Sequence, residues 1–91
     1  MSITRIVNRH KEPFDVYIGR GTIWGNPYRS GIDGTRDEVI EKYRVYALNN
    51  KEIMSRLCEL KGKILGCSCK PKKCHGDVLV ELIQQFCLER F

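Results

Sequence analysis

Between Gly66 and Asp77 the chain reads Gly66-Cys67-Ser68-Cys69-Lys70-Pro71-Lys72-Lys73-Cys74-His75-Gly76-Asp77, which gathers thiols, an imidazole, a carboxylate and lysines in one stretch. These groups attack electrophiles, move protons, hold metals and attract anions. Cys74 stands where a helix is expected to begin, so the positive end of the helix dipole and the nearby lysines favour its thiolate. His75 can act as acid, base or donor, and Asp77 can orient an imidazole. Cys74, His75 and Asp77 therefore form the candidate catalytic set. The structural alternative has Cys74 packed beneath the helix, with His75 and Asp77 capping it.

The same stretch permits a zinc reading. Cys67 and Cys69 fall on one side of an extended strand, and Cys74 with His75 completes four ligands. Against zinc stand the missing two-residue gap of paired zinc cysteines and the awkward adjacency of Cys74 and His75. A structural pair of buried thiols accounts for Cys67 and Cys69 equally well. No metal is the leading expectation and zinc the alternative.

A second constellation is Gly19-Arg20-Gly21-Thr22-Ile23-Trp24-Gly25-Asn26-Pro27-Tyr28. Here glycines permit close backbone approach, Arg20 can fork onto a phosphate, and Trp24 or Tyr28 can stack on a base. The pattern is neither the P-loop nor the dinucleotide fingerprint. Arg20, Gly21, Trp24 and Asn26, with Lys70, Lys72 and Lys73, are the candidate phosphate or nucleic-acid contacts. The alternative is a turn pinned by a core Trp24 and Pro27, with Arg20 in an ion pair. Asn8, Arg9 and His10 read as ordinary loop residues.

Positioning these groups requires an α/β framework. Residues Ile3 to Val7 alternate apolar and polar, and Asp15 to Gly19 is rich in β-formers, so two early strands are expected. The second feeds a glycine-rich loop that runs to Gly34. Thr35 and Glu38 match a capping box, followed by Val39, Ile40, Tyr43, Tyr46 and Ala47 on one helical face. Asn49-Asn50 ends that helix. Ile53, Met54, Leu57, Cys58 and Leu60 mark a second short helix stopped at Gly62. Lys63 to Cys67 reads as a buried strand, and Val78, Leu79, Leu82, Ile83, Phe86 and Cys87 give a last helix from about His75. The expected product is one domain over residues 1–91, with about three strands and three helices.

With 91 residues there is room for a single core and no separate regulatory module. No signal-like or membrane-spanning run is present, so an intracellular, cytoplasmic protein without a membrane role is expected. An odd count of five cysteines in such a chain favours thiols or a metal site over a disulfide framework. Cys58 and Cys87 lie on apolar faces and are expected in the core. The net charge of +5 is uneven: Lys61, Lys63, Lys70, Lys72 and Lys73 precede any acid until Asp77. That asymmetry favours an anionic partner.

Asp15-Val16-Tyr17-Ile18-Gly19-Arg20 continuing to Trp24-Gly25-Asn26-Pro27-Tyr28, with Gly66-Cys67-Ser68-Cys69-Lys70-Pro71 and Cys74-His75-Gly76-Asp77, resembles the small domain-of-unknown-function family 4326 (DUF4326) of phages and bacteria. The likeness covers almost the entire chain. Ser68 departs from it, standing where the family often carries an aromatic residue. The strand, turn and Cys-His-led helix are also similar to the end of domain-of-unknown-function family 488 (DUF488), in which a Cys-His-Arg sequence opens the last helix. Gly76 stands here in place of that arginine. The second likeness implies a small α/β fold, Rossmann-like or a DUF488-like sandwich, with an anion site at a helix start.

Together these features lead to the expectation of a small phage-type protein in which the loop around Arg20 and the turn around Cys74 face one another to take a nucleotide or nucleic acid. The catalytic extension is cleavage by a hydrolase or lyase, including nuclease-type breakage at damaged or abasic DNA, with His75 or Asp77 moving the proton. Two other classes remain: a zinc-stabilised binding module, and a non-enzymatic effector that binds a host protein.

Overall fold

The computed structural model describes residues 4–69 and 72–87. The elements in chain order are β1 (Arg5–Asn8), β2 (Val16–Tyr17), α1 (Arg36–Leu48), α2 (Lys51–Arg56), a 3-10 turn (Leu57–Leu60), β3 (Ile64–Cys67) and α3 (His75–Phe86). The strands form one parallel sheet in the order β1-β3-β2. The α/β class expected from the hydrophobic pattern is therefore the observed one.

Parallel neighbours normally need a crossover of a dozen residues or more. β1 and β2 are joined by only the segment Arg9 to Asp15, because the chain skips over one face of the central strand without a helix. The segment is tied at both ends to β3. Arg9 N donates to the Cys67 carbonyl at 2.9 Å, Asp15 N to the Ile64 carbonyl at 2.7 Å, and Ile64 N to Asp15 Oδ2 at 2.8 Å. Phe14 crosses at Gly66, where a Cβ would fall 2.6 Å from its ring, so the crossing depends on glycine in the middle of β3.

The opposite face carries the helices. Capping starts α1 as expected: Glu38 N donates to Thr35 Oγ1 at 3.2 Å and Thr35 N to Glu38 Oε1 at 2.8 Å. The helix ends at Asn49-Asn50 as expected, and Asn50 also caps α2 by accepting from Ile53 N at 3.1 Å. α3 lies against β1 and α1. Its close approach rests on Gly76, where a Cβ would meet Ile6 and Ile18 at 2.7 and 2.8 Å. Tyr43, Ile18, Ile53, Leu57, Leu60, Leu65, Leu79, Leu82 and Ile83 fill the space between layers, each stabilising by about 1.5–3 kcal/mol relative to exposure.

Two expectations are corrected. Cys58 is exposed rather than in the core, and it forms a disulfide with Cys87, with Cα atoms 5.6 Å apart. Helical spacing put both on apolar faces, but the 3-10 turn rotates Cys58 outward toward the end of α3. β2 is shorter than Asp15 to Gly19, since its pairing with β3 covers only Leu65 and Gly66. Ile18 still donates its N–H to Gly66 at 3.0 Å. Ile3, the expected start of β1, lies outside the described residues.

Candidate anion-binding site

All three strands end on the same side of the sheet, and the loops after β2 and β3 meet there across a cavity of about 570 Å³. Crevices at the carboxyl ends of parallel strands are the usual ligand sites of α/β folds. The β2–α1 loop supplies Arg20 and Arg29, the first residue of α1 supplies Arg36, and the β3–α3 turn supplies Cys67, Cys74 and His75. The two sequence constellations thus share one cavity.

Side chains pin the β2–α1 loop from within. Thr22 Oγ1 donates to the Gly19 carbonyl at 2.7 Å, and the buried Tyr43 hydroxyl donates to the Trp24 carbonyl at 2.7 Å. Asn26 Nδ2 donates to the Val39 carbonyl at 3.1 Å while Asn26 Oδ1 accepts from Tyr28 N at 2.9 Å. Asn26 lines the cavity, yet it works as a clamp between loop and α1. Trp24 is only 4% exposed, so the base stacking expected of it has no open ring face to act through. Gly21 opens on a neighbouring shallow groove shared with Arg20 and Arg29.

The cavity wall is cationic. Arg20, Arg29 and Arg36 line it, and among the described residues no aspartate or glutamate does. None of these guanidiniums has an ion pair among the described residues. The nearest acid in sequence to Arg29, Asp33, accepts from its backbone N–H at 2.8 Å. Arg36 Nη1 donates to the Lys73 carbonyl at 3.0 Å, which ties the start of α1 to the turn before α3. Sequence reading did not single out Arg29 or Arg36. Arg36 carried a signal nonetheless: a cation at the first position of a helix opposes the dipole and needs another reason to be there.

His75 is held by its Nε2, 2.7 Å from the Ile18 carbonyl. A carbonyl only accepts, so Nε2 carries the proton. Burial pushes the imidazole pKa below its ordinary value, helped by the Arg20 charge and opposed by the Ile18 carbonyl and Asp77. The ring is therefore neutral with Nδ1 as its bare lone pair. Nδ1 makes no protein hydrogen bond, and no fully buried side-chain nitrogen or oxygen among the described residues lacks a partner. His75 is among the residues that line the cavity.

Cys74 and Asp77 behave differently from the expected catalytic pair. Cys74 Sγ lies 3.3 Å from Cys67 Sγ, and this hydrogen bond, followed by burial, pushes the Cys74 thiol well above its ordinary range. That direction opposes the thiolate expected at a helix start. Asp77 Oδ2 accepts from Cys74 N at 3.2 Å, the cap of α3, and its side chain lines a separate groove between α1 and α3. Lys72 and Lys73 are exposed and do not line the cavity. Lys73 instead pairs with Asp37 at 3.4 Å. Lys70 lies outside the described residues. Among the described residues no group of three or more His, Cys, Asp or Glu side chains is arranged to hold a metal ion.

Comparison with known proteins adds kinship without activity. No helix among the described residues is long and apolar enough to cross a membrane. No solved structure matches the chain. An uncharacterized 12.4 kDa protein from the nrdA-td intergenic region of Enterobacteria phage T4 is 39% identical over 93 residues, covering 98% of this chain and 85% of that protein. The family described as Domain of unknown function (DUF4326) matches residues 2–85, as the motifs led one to expect. The chain belongs to the DUF4326 family and has a relative in Enterobacteria phage T4.

Proposed function

We propose that the cavity takes a phosphate-bearing ligand of nucleotide size. The observation that carries this reading is the convergence of Arg20, Arg29 and Arg36, without a carboxylate among the described residues, on one cavity of about 570 Å³ at the strand ends. Guanidiniums match phosphate oxygens in pairs of hydrogen bonds, each charge-assisted contact being worth about 1.5–3 kcal/mol. Val39, Ile40 and the exposed Ile32 give the same cavity an apolar side against which a base can lie. The bare Nδ1 of His75 offers an acceptor for a ligand hydroxyl or amine. If a bond is broken, that nitrogen is the base placed to take the proton, and neutrality at ordinary pH keeps it ready.

Calorimetric titration with a nucleoside monophosphate and with the matching nucleoside tests the reading. The monophosphate is expected to bind at least about tenfold more tightly, and Arg20→Ala or Arg36→Ala to remove most of that difference. Equal affinity for nucleoside and monophosphate, or indifference to both substitutions, would contradict it.

A further inference from the structure

We infer that Cys67 and Cys74 form a reversible dithiol/disulfide couple in the cavity wall, oxidised by small anionic disulfides that enter through the arginine-lined mouth. The sulfurs are 3.3 Å apart, against a bond length of about 2.05 Å, so bonding asks for a shift of little more than one ångström. Cys67 ends β3 and Cys74 caps α3, so both are set on elements anchored in the core. The two residues are 1% and 2% exposed, and both line the cavity, which makes the cavity their approach from solvent. Arg20, Arg29 and Arg36 raise the local concentration of anions there.

The order of events follows from the pair itself. Either sulfur can donate in this contact, and the contact raises the Cys74 thiol, so the proposed order starts with Cys67 as the first to ionise. The Cys67 thiolate attacks one sulfur of the small disulfide, forming a mixed disulfide and releasing one small thiolate. Cys74, losing its proton to that thiolate, then attacks the Cys67 sulfur, closes the Cys67–Cys74 bond and expels the second small thiolate. The proton Cys67 gave up on ionising goes to this second thiolate. The protein dithiol loses two electrons and two protons, and the small disulfide becomes two thiols. Cys69, half-buried on the same wall, is the natural control because it forms no sulfur pair among the described residues.

The test uses the intact chain, reduced and desalted, then exposed to glutathione disulfide (anionic) or cystamine (cationic) at equal concentration, with bonds located by peptide mapping. Expected is a Cys67–Cys74 bond forming at least about tenfold faster with glutathione disulfide. Cys74→Ser is expected to trap glutathione on Cys67, and Cys67→Ser to leave Cys74 unmodified. Should either variant fail to fold, the wild-type bond decides. Cys67 and Cys74 remaining thiols while Cys69 is fully modified, a bond from Cys69 to either, or faster oxidation by cystamine would overturn the proposal. It stands apart from phosphate binding, which the calorimetric titration tests on the reduced protein.

Discussion

Trp24 and Asn26 face inward from the β2–α1 loop, whereas Arg20 and Arg29 face outward from it, and sequence reading offered Trp24, Asn26 and Arg20 as ligand contacts but not Arg29. In the fold their roles separate. The inner pair is consumed by the protein: the Trp24 ring is in the core, and both ends of the Asn26 amide hold the loop to itself and to α1. The outer pair has no ion pair among the described residues and lines the cavity with Arg36. Residue type says what a group can do; the hydrogen bonds already made decide what remains available. The β3–α3 turn repeats the division, with Asp77 spent on a cap and one nitrogen of His75 left open.

If the inner side is structural, its loss should cost stability first. Trp24→Ala is expected to lower unfolding free energy by about 3–5 kcal/mol, much of what a domain of this size has, as read by urea denaturation. A loss under about 1 kcal/mol would mean that the ring is not a core anchor. Gly76→Ala pushes α3 off Ile6 and Ile18 and is expected to cost about 1–3 kcal/mol, with the cavity distorted as well. Wild-type stability retained in that variant would show that the helix has room to move.

The His75 prediction concerns pH. Above the unfolded-state value of about 6.5 the ring is neutral in both states. Below it the unfolded chain takes up a proton that folded His75, with its depressed pKa, does not, so stability falls with pH until the folded ring also protonates. Denaturation midpoints should drop between about pH 7 and about pH 5, and His75→Gln should flatten that slope. Parallel slopes would place the acid sensitivity elsewhere. The outer side should behave in the opposite way to the inner: Arg20→Ala or Arg29→Ala is expected to change stability by no more than about 0.5 kcal/mol. A larger loss would make these side chains structural and erase the contrast.

Most of the framework was legible because local signals and packing agree. The Thr35 and Glu38 box, the apolar spacing of α3 and the buried run of β3 each specify an element by themselves. Strand order was not legible, since a seven-residue link between parallel strands is atypical and only the meeting of Phe14 with Gly66 makes it possible. The convergence of the two loops follows from that order, so it too was hidden. The fate of Cys58 turned on a switch from α to 3-10 winding at Leu57, which no side-chain pattern announces. Arg29 and Arg36 lie outside both sequence constellations, and only the fold brings them to the cavity beside Arg20.

The most direct measurement follows the arginine Nε–H signals by nuclear magnetic resonance while a nucleoside monophosphate is added to the reduced protein. The account predicts that Arg20, Arg29 and Arg36 shift together and saturate, while Arg5, Arg44 and Arg56, which sit in ion pairs elsewhere, do not move. Shifts spread evenly over all arginines, or confined to those outside the cavity, would contradict it.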